Sequence, residues 1–231
     1  MTDRNGPFII NLKNYSEISG EKALLIAKEA EKVCLDLDVR ILLSPPQFLL
    51  AWIAKNIGIE IIAQHVDSNE IGPSTGFSIP EMIKGAGGVG SIINHSEHPI
   101  DITTITKIIE KMRSLYLISI VCAKNLDELK VISRIEPDFI AIEPPELIGT
   151  KRSISTEKPA LIKESSAYLE TNGIKSKLIC GAGINTADDV RIALKLGAVG
   201  ILAASSIVKA DRWYDKIHSL AIAFKETKKS I

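Results

Sequence analysis

Short runs rich in valine, isoleucine and leucine recur along this chain, and each is followed by a longer stretch with apolar residues at helical spacing. That rhythm belongs to a parallel sheet, because neighbouring parallel strands can be joined only by a crossover, and a helix is the usual one. Strands are expected at about residues 8–11, 39–43, 59–63, 90–94, 116–121, 139–143, 177–181 and 200–203. Eight units over 231 residues leave about 29 residues for each, close to the minimum for strand, turn, helix and return turn. No linker or second domain fits, so the expectation is an α/β chain forming one closed (β/α)8 barrel over residues 1–231.

Helical spacing is expected at 20–37, 100–115, 125–135, 159–172, 186–196 and 213–225. In the first of these, Ala23, Ile26, Ala27, Ala30 and Val33 form one stripe with lysine or glutamate opposite. Thr186-Ala187-Asp188-Asp189 reads as an amino-terminal cap with acidic residues where the helix dipole favours them. An open doubly wound sheet is the structural rival. Its glycine fingerprint belongs after the first strand, where this chain has Asn11-Leu12-Lys13-Asn14-Tyr15.

Charge narrows the partners. Lysine plus arginine equals aspartate plus glutamate at 28 each, so no basic excess exists to neutralise a nucleic-acid backbone. An anionic ligand must be small and held by local geometry. Cys34, Cys122 and Cys180 are far apart with no CxxC pair, which suits a reduced, cytoplasmic protein. The opening residues Met1 to Pro7 show no signal-peptide run, and no later stretch is long and apolar enough to suggest a membrane span.

Barrels of this kind carry their chemistry at the carboxyl ends of the strands. After the first strand stand Asn11 and Lys13, two residues apart and so on one side of an extended chain. After the fourth comes Asn94-His95-Ser96-Glu97-His98-Pro99, with a helix expected to begin shortly beyond His95. His95 and His98 could suggest a metal, but no further ligand follows at a recognised spacing. His65 and His218 read as ordinary hydrogen-bonded histidines.

The sixth strand ends in Ile142-Glu143-Pro144-Pro145-Glu146-Leu147-Ile148-Gly149-Thr150, a carboxylate followed by a stiff start and a looser continuation, as in a hinged lid. Glu146 reads as a lid-anchoring or solvated charge. The last two strands end in Gly181-Ala182-Gly183 and Ala203-Ala204-Ser205-Ser206, small residues that let backbone N–H groups approach a phosphate. A tight turn alone would also account for the two glycines.

Together these stretches resemble the triosephosphate isomerase family along nearly the whole chain. Asn11-Leu12-Lys13, Asn94-His95-Ser96-Glu97, Ile142-Glu143-Pro144 with Ile148-Gly149-Thr150, and Cys180-Gly181-Ala182-Gly183-Ile184 match in order and spacing. The Glu143 to Gly149 wording and the short chain are similar to the archaeal branch. The resemblance implies a TIM barrel interconverting dihydroxyacetone phosphate and D-glyceraldehyde 3-phosphate through an enediolate, in glycolysis and gluconeogenesis. It implies Glu143 as base, His95 as electrophile, Lys13 as a catalytic and substrate-binding charge, and Asn11, Ile148, Gly183, Ala204 and Ser205 as substrate-binding positions. It implies no cofactor and no metal, and a homo-oligomer, tetrameric or alternatively dimeric, in which Ser74-Thr75-Gly76-Phe77 reaches a neighbouring subunit.

This family is itself the standing example of a glutamate base beside a histidine held neutral by a helix amino terminus. Two departures stand out. Lys151-Arg152 occupy places where the family has a glycine and a smaller residue, and Ser206 stands where glycine is usual. Two other readings are possible: another phosphate-binding barrel, which would use Gly181-Ala182-Gly183 equally, and a barrel that binds without turnover.

Overall fold

The eight aliphatic runs pair side by side in sequence order, and the last returns to the first, in a computed structural model that describes residues 6–230. The order is β1 (Phe8–Asn11), α1 (Lys22–Leu37), β2 (Ile41–Ser44), α2 (Leu50–Asn56), β3 (Glu60–Ala63), α3 (Pro80–Gly85), β4 (Gly90–Ile93), α4 (Ile102–Ser114), β5 (Ile118–Ala123) and α5 (Leu126–Ser133). It continues with β6 (Phe139–Ile142), α6 (Ile154–Glu157), α7 (Pro159–Thr171), β7 (Lys177–Cys180), α8 (Ala187–Lys195), β8 (Gly200–Ala203), α9 (Ser205–Val208) and α10 (Trp213–Ser230). Every pairing is parallel, so the sheet is a closed α/β barrel with helices outside it. Residues 1–5 and 231, which the expected span 1–231 includes, lie outside the described residues.

Each expected strand is present, with ends displaced by at most two residues. The displacements have local causes. β2 starts later than expected because Asp38 turns left-handed (φ 50°) and its N–H closes α1 on the Cys34 carbonyl. β5 starts later because Tyr116 is likewise left-handed (φ 59°) and exposed, still leaving the helix before it. Four helices go beyond the sequence expectation: α2, α3, α6 and α9 span seven residues or fewer, too short to show a helical period.

Side chains alternate across each strand and so build two cores. Ile9, Leu42, Ile62, Ile92, Ile120 and Ile179 fill the barrel interior. Their neighbours, such as Phe8, Ile10, Leu43 and Ile93, pack outward under the helices. The α1 stripe of Ala23, Ile26, Ala27, Ala30 and Val33 is fully buried there. Truncating one of the interior isoleucines would cost about 2–5 kcal/mol, since a closed barrel has little freedom to collapse into the void. This packing fixes the strand register, and the register sets what reaches the mouth.

Candidate active site

A residue two positions beyond an inward one also points inward while the strand continues. Ile9 is thus followed by Asn11, Ile120 by Cys122, Ala141 by Glu143 and Ile179 by Gly181, and all four successors meet at the carboxyl end of the barrel. Glu143 is buried there, its side chain only 4% exposed. β6 pairs Cys122 with Ala141 and Ala123 with Ile142, bringing the Cys122 thiol to donate to Glu143 Oε2 at 3.1 Å. Burial, then the neighbouring Glu143 charge, pushes the Cys122 and Cys180 thiols upward, so both stay protonated beside the carboxylate. Gly181 completes the pocket: a Cβ there would overlap the Glu143 carboxylate.

β4 breaks the alternation. Ile92 points inward, which would carry His95 away from the mouth, but Asn94 adopts a left-handed backbone (φ 58°). Its amide donates to the Cys122 carbonyl at 3.0 Å and to Glu128 Oε1 at 3.3 Å, while its Oδ1 accepts the Ile100 N–H at 3.0 Å. The turned chain brings His95 Nε2 to 3.6 Å from Glu143 Oε2, beyond hydrogen-bond reach. The Glu97 N–H donates to His95 Nδ1 at 3.1 Å. A ring nitrogen that accepts an N–H carries no proton, so the ring proton lies on Nε2, facing the cleft. The amide that meets the ring belongs to the turn at Ser96 to His98, since α4 begins only at Ile102 with its Asp101 cap.

Lys13 is also left-handed (φ 49°), a conformation costing roughly 1–3 kcal/mol outside glycine. Three groups hold it. Asn11 Oδ1 accepts its N–H at 3.0 Å, Gln64 Nε2 donates to its carbonyl at 3.1 Å, and its ammonium meets Glu97 Oε1 at 2.7 Å. Lys13 is therefore a fixed charge bridging the ends of β1 and β4.

The opposite wall is backbone. Ile207 and Val208 both donate to the Ala204 carbonyl, leaving the Ser205 and Ser206 amides ahead of the first helical bond. From the lid, Ile148 and Gly149 (φ 72°) reach the same space. Leu147 is buried beneath them, Thr150 Oγ1 donates to its carbonyl, and Glu146 pairs with Lys158 at the lid's base. Of the two residues that depart from the family pattern here, Arg152 turns out to pair with Glu157, and the Lys151 carbonyl accepts from Asn185 Nδ2 at 3.2 Å.

One narrow cleft is lined by Lys13, His95, Glu143, Ile148, Gly183, Ala204 and Ser205, all singled out from the sequence. Asn11 lies under Lys13 and faces the adjoining cavity that Lys13 and His95 also line. His98 stacks on His65 with ring centroids 3.7 Å apart, and His65 bonds Asp67. Burial lowers the His65 imidazole against the opposing pull of Asp67. His218 stacks on Tyr214 away from the cleft.

Residues 7–220 match the family model described as Triosephosphate isomerase. The chain belongs to the triosephosphate isomerase family. It is 43% identical over 207 residues to the triosephosphate isomerase of Cenarchaeum symbiosum (strain A), covering 90% of this chain and 92% of that relative. It is 39% identical over 212 residues to that of Methanocaldococcus jannaschii, covering 92% and 97% respectively. With the triosephosphate isomerase of Methanothermus fervidus it shares 37% over 202 residues, or 87% and 91%.

For a member of the triosephosphate isomerase family, the sequence reading left three contributors unassigned: Cys122 against the carboxylate, Gln64 under Lys13, and Glu97 as partner of both His95 and Lys13. The period-two pattern through Ile120 could have found Cys122. Nothing local in the sequence marks Gln64.

Proposed function

We propose that this protein interconverts dihydroxyacetone phosphate and D-glyceraldehyde 3-phosphate through an enediolate, as a cytoplasmic enzyme of glycolysis and gluconeogenesis. The observation that carries the reading is one cleft holding a buried carboxylate, an imidazole with its proton on Nε2 and a fixed ammonium, with the Ser205 and Ser206 amides standing ahead of the first bond of α9. Glu143 takes a proton from the carbon beside the carbonyl, and His95 Nε2–H donates to the oxygen that becomes negative. The hydroxyl proton passes from the neighbouring oxygen to the former carbonyl oxygen, and Glu143 then returns a proton to the neighbouring carbon. Lys13 supplies positive charge to the same oxygens, and Asn11 holds Lys13 in place.

General-base catalysis alone contributes roughly 10²–10⁴-fold, while enzymes reach about 10⁶-fold or more, so donors aimed at the developing oxyanion are required. The reaction has no net redox change and needs no cofactor. Ile148, Gly183, Ala204 and Ser205, with the amides around them, take the phosphate end, and the lid over residues 144–152 keeps water from the enediolate.

The whole span 1–231 acts as one domain in this reading, and it assembles with copies of itself as a tetramer or alternatively a dimer. Support for assembly comes from the irregular segment 64–79, whose exposed Phe77 lines the same cavity beside the active-site mouth as exposed Phe48. A light-scattering mass of one chain would overturn it.

Turnover in D₂O tests the chemistry. Deuterium should enter at the carbon beside the carbonyl, read by proton NMR. Deuterium in neither product nor recovered substrate would mean that the hydrogen never reaches a group that exchanges with solvent, against the proton route.

A further inference from the structure

We propose that the Ser206 hydroxyl is a positioning group of the phosphate site, setting the distance between the two loops whose backbone amides grip the ligand. The proposal rests on the cleft being a triose phosphate site.

The β7–β8 ladder ends at the Cys180–Ile201 pair, and beyond it the chains part to form the loops before α8 and α9. The first loop is anchored mainly to its own surroundings. Asn185 Nδ2 donates to the Gly183 carbonyl at 2.7 Å, the Asn185 N–H donates to Asp189 Oδ2 at 3.0 Å, and Lys216 Nζ donates to the Asn185 carbonyl at 2.5 Å. The second loop is closed by the bonds to the Ala204 carbonyl. Between 181–186 and 203–208, one hydrogen bond is present among the described residues: Ser206 Oγ donates to the Ile184 carbonyl at 2.7 Å.

Both loops line the cleft, and in the second the Ser205 and Ser206 amides stand ahead of the first helical bond. A phosphate gripped from two sides is bound best when its donors already stand at the right separation, because little ordering is then required on binding. The hydroxyl faces Ile184, so Ser206 acts through that spacing while its own N–H remains available to the ligand. Losing the tie should weaken whatever carries a phosphate and leave the chemistry at Glu143 and His95 untouched.

The test compares wild type, Ser206→Ala and Ser206→Thr in the full-length protein. Three quantities are read: kcat and KM with glyceraldehyde 3-phosphate, kcat/KM with unphosphorylated glyceraldehyde, and the calorimetric Kd of 2-phosphoglycolate. In Ser206→Ala the KM and the Kd should rise about three- to tenfold, as expected for one net hydrogen bond. Its kcat should stay within about twofold, and glyceraldehyde should react as in wild type.

Ser206→Thr, which keeps the hydroxyl, should restore tight binding. An unchanged Kd in Ser206→Ala, a loss shared equally by glyceraldehyde, or a threonine variant as weak as alanine would overturn the proposal. Wild type that binds 2-phosphoglycolate without isomerising anything would remove the proposed reaction while leaving the Ser206 comparison readable from Kd. Wild type that fails to bind would overturn both.

Discussion

At the scale of single residues the cleft is set by what surrounds one carboxylate. Glu143 is buried, yet it faces a neutral thiol, an imidazole and a glycine, and among the described residues no lysine or arginine forms an ion pair with it. Gly181 is the residue that leaves it room. Gly181→Ala should force the carboxylate aside and lower kcat by about 10²-fold, the order of loss that follows an ångström-scale misplacement, while circular dichroism and melting stay near wild type. An alanine variant with full kcat would show that the carboxylate position tolerates the methyl. Glu143 and His95 could be singled out in the sequence because each stands at the end of an apolar run, whereas Lys13 stood out only through the family resemblance. The left-handed turn at Asn94 could not be read there, since it depends on three hydrogen bonds to groups 6, 28 and 34 positions away.

At the scale of elements, strands and long helices were readable and short helices were not. β1 to β8 carry enough consecutive aliphatic residues to announce themselves, and α1 shows its stripe over 16 residues. α6 and α9 have four residues each, and their existence follows from the loops they close. The cap of α8 was visible as a motif and is a full capping box: Asp189 Oδ2 accepts from the Thr186 N–H at 2.7 Å, and the Asp189 N–H donates to Thr186 Oγ1 at 3.2 Å. Asp189 also accepts from Asn185, so the cap braces the loop beside the cleft. Thr186→Ala should therefore cost about 0.5–2 kcal/mol, measured as a shift of the urea midpoint. A midpoint equal to wild type would mean that the cap contributes nothing to the fold. The lid's ion pairs, Glu146–Lys158 and Arg152–Glu157, are exposed and screened by solvent, so Arg152 adds a surface contact more than a lock.

At the scale of the whole molecule, closure of the sheet decides where chemistry can occur. Eight parallel strands in sequence order bring eight carboxyl ends to one rim, and groups as distant in sequence as Lys13 and Ser205 line one cleft. Balanced charge, 28 against 28, leaves no general field to gather anions, so in the proposed reaction capture would fall to local groups such as Lys13. The same rim carries the exposed aromatics Phe48 and Phe77, so the proposed assembly would bury them beside the cleft. In the proposed reaction a single buried carboxylate moves the proton, and isomerisation of glyceraldehyde 3-phosphate by the purified protein, with Glu143→Gln alongside, decides whether it does. Wild type should turn over without added cofactor, and the variant should fall by about 10²–10⁴-fold with an unchanged melting curve. Near wild-type turnover in the variant, or none in either protein, would contradict it.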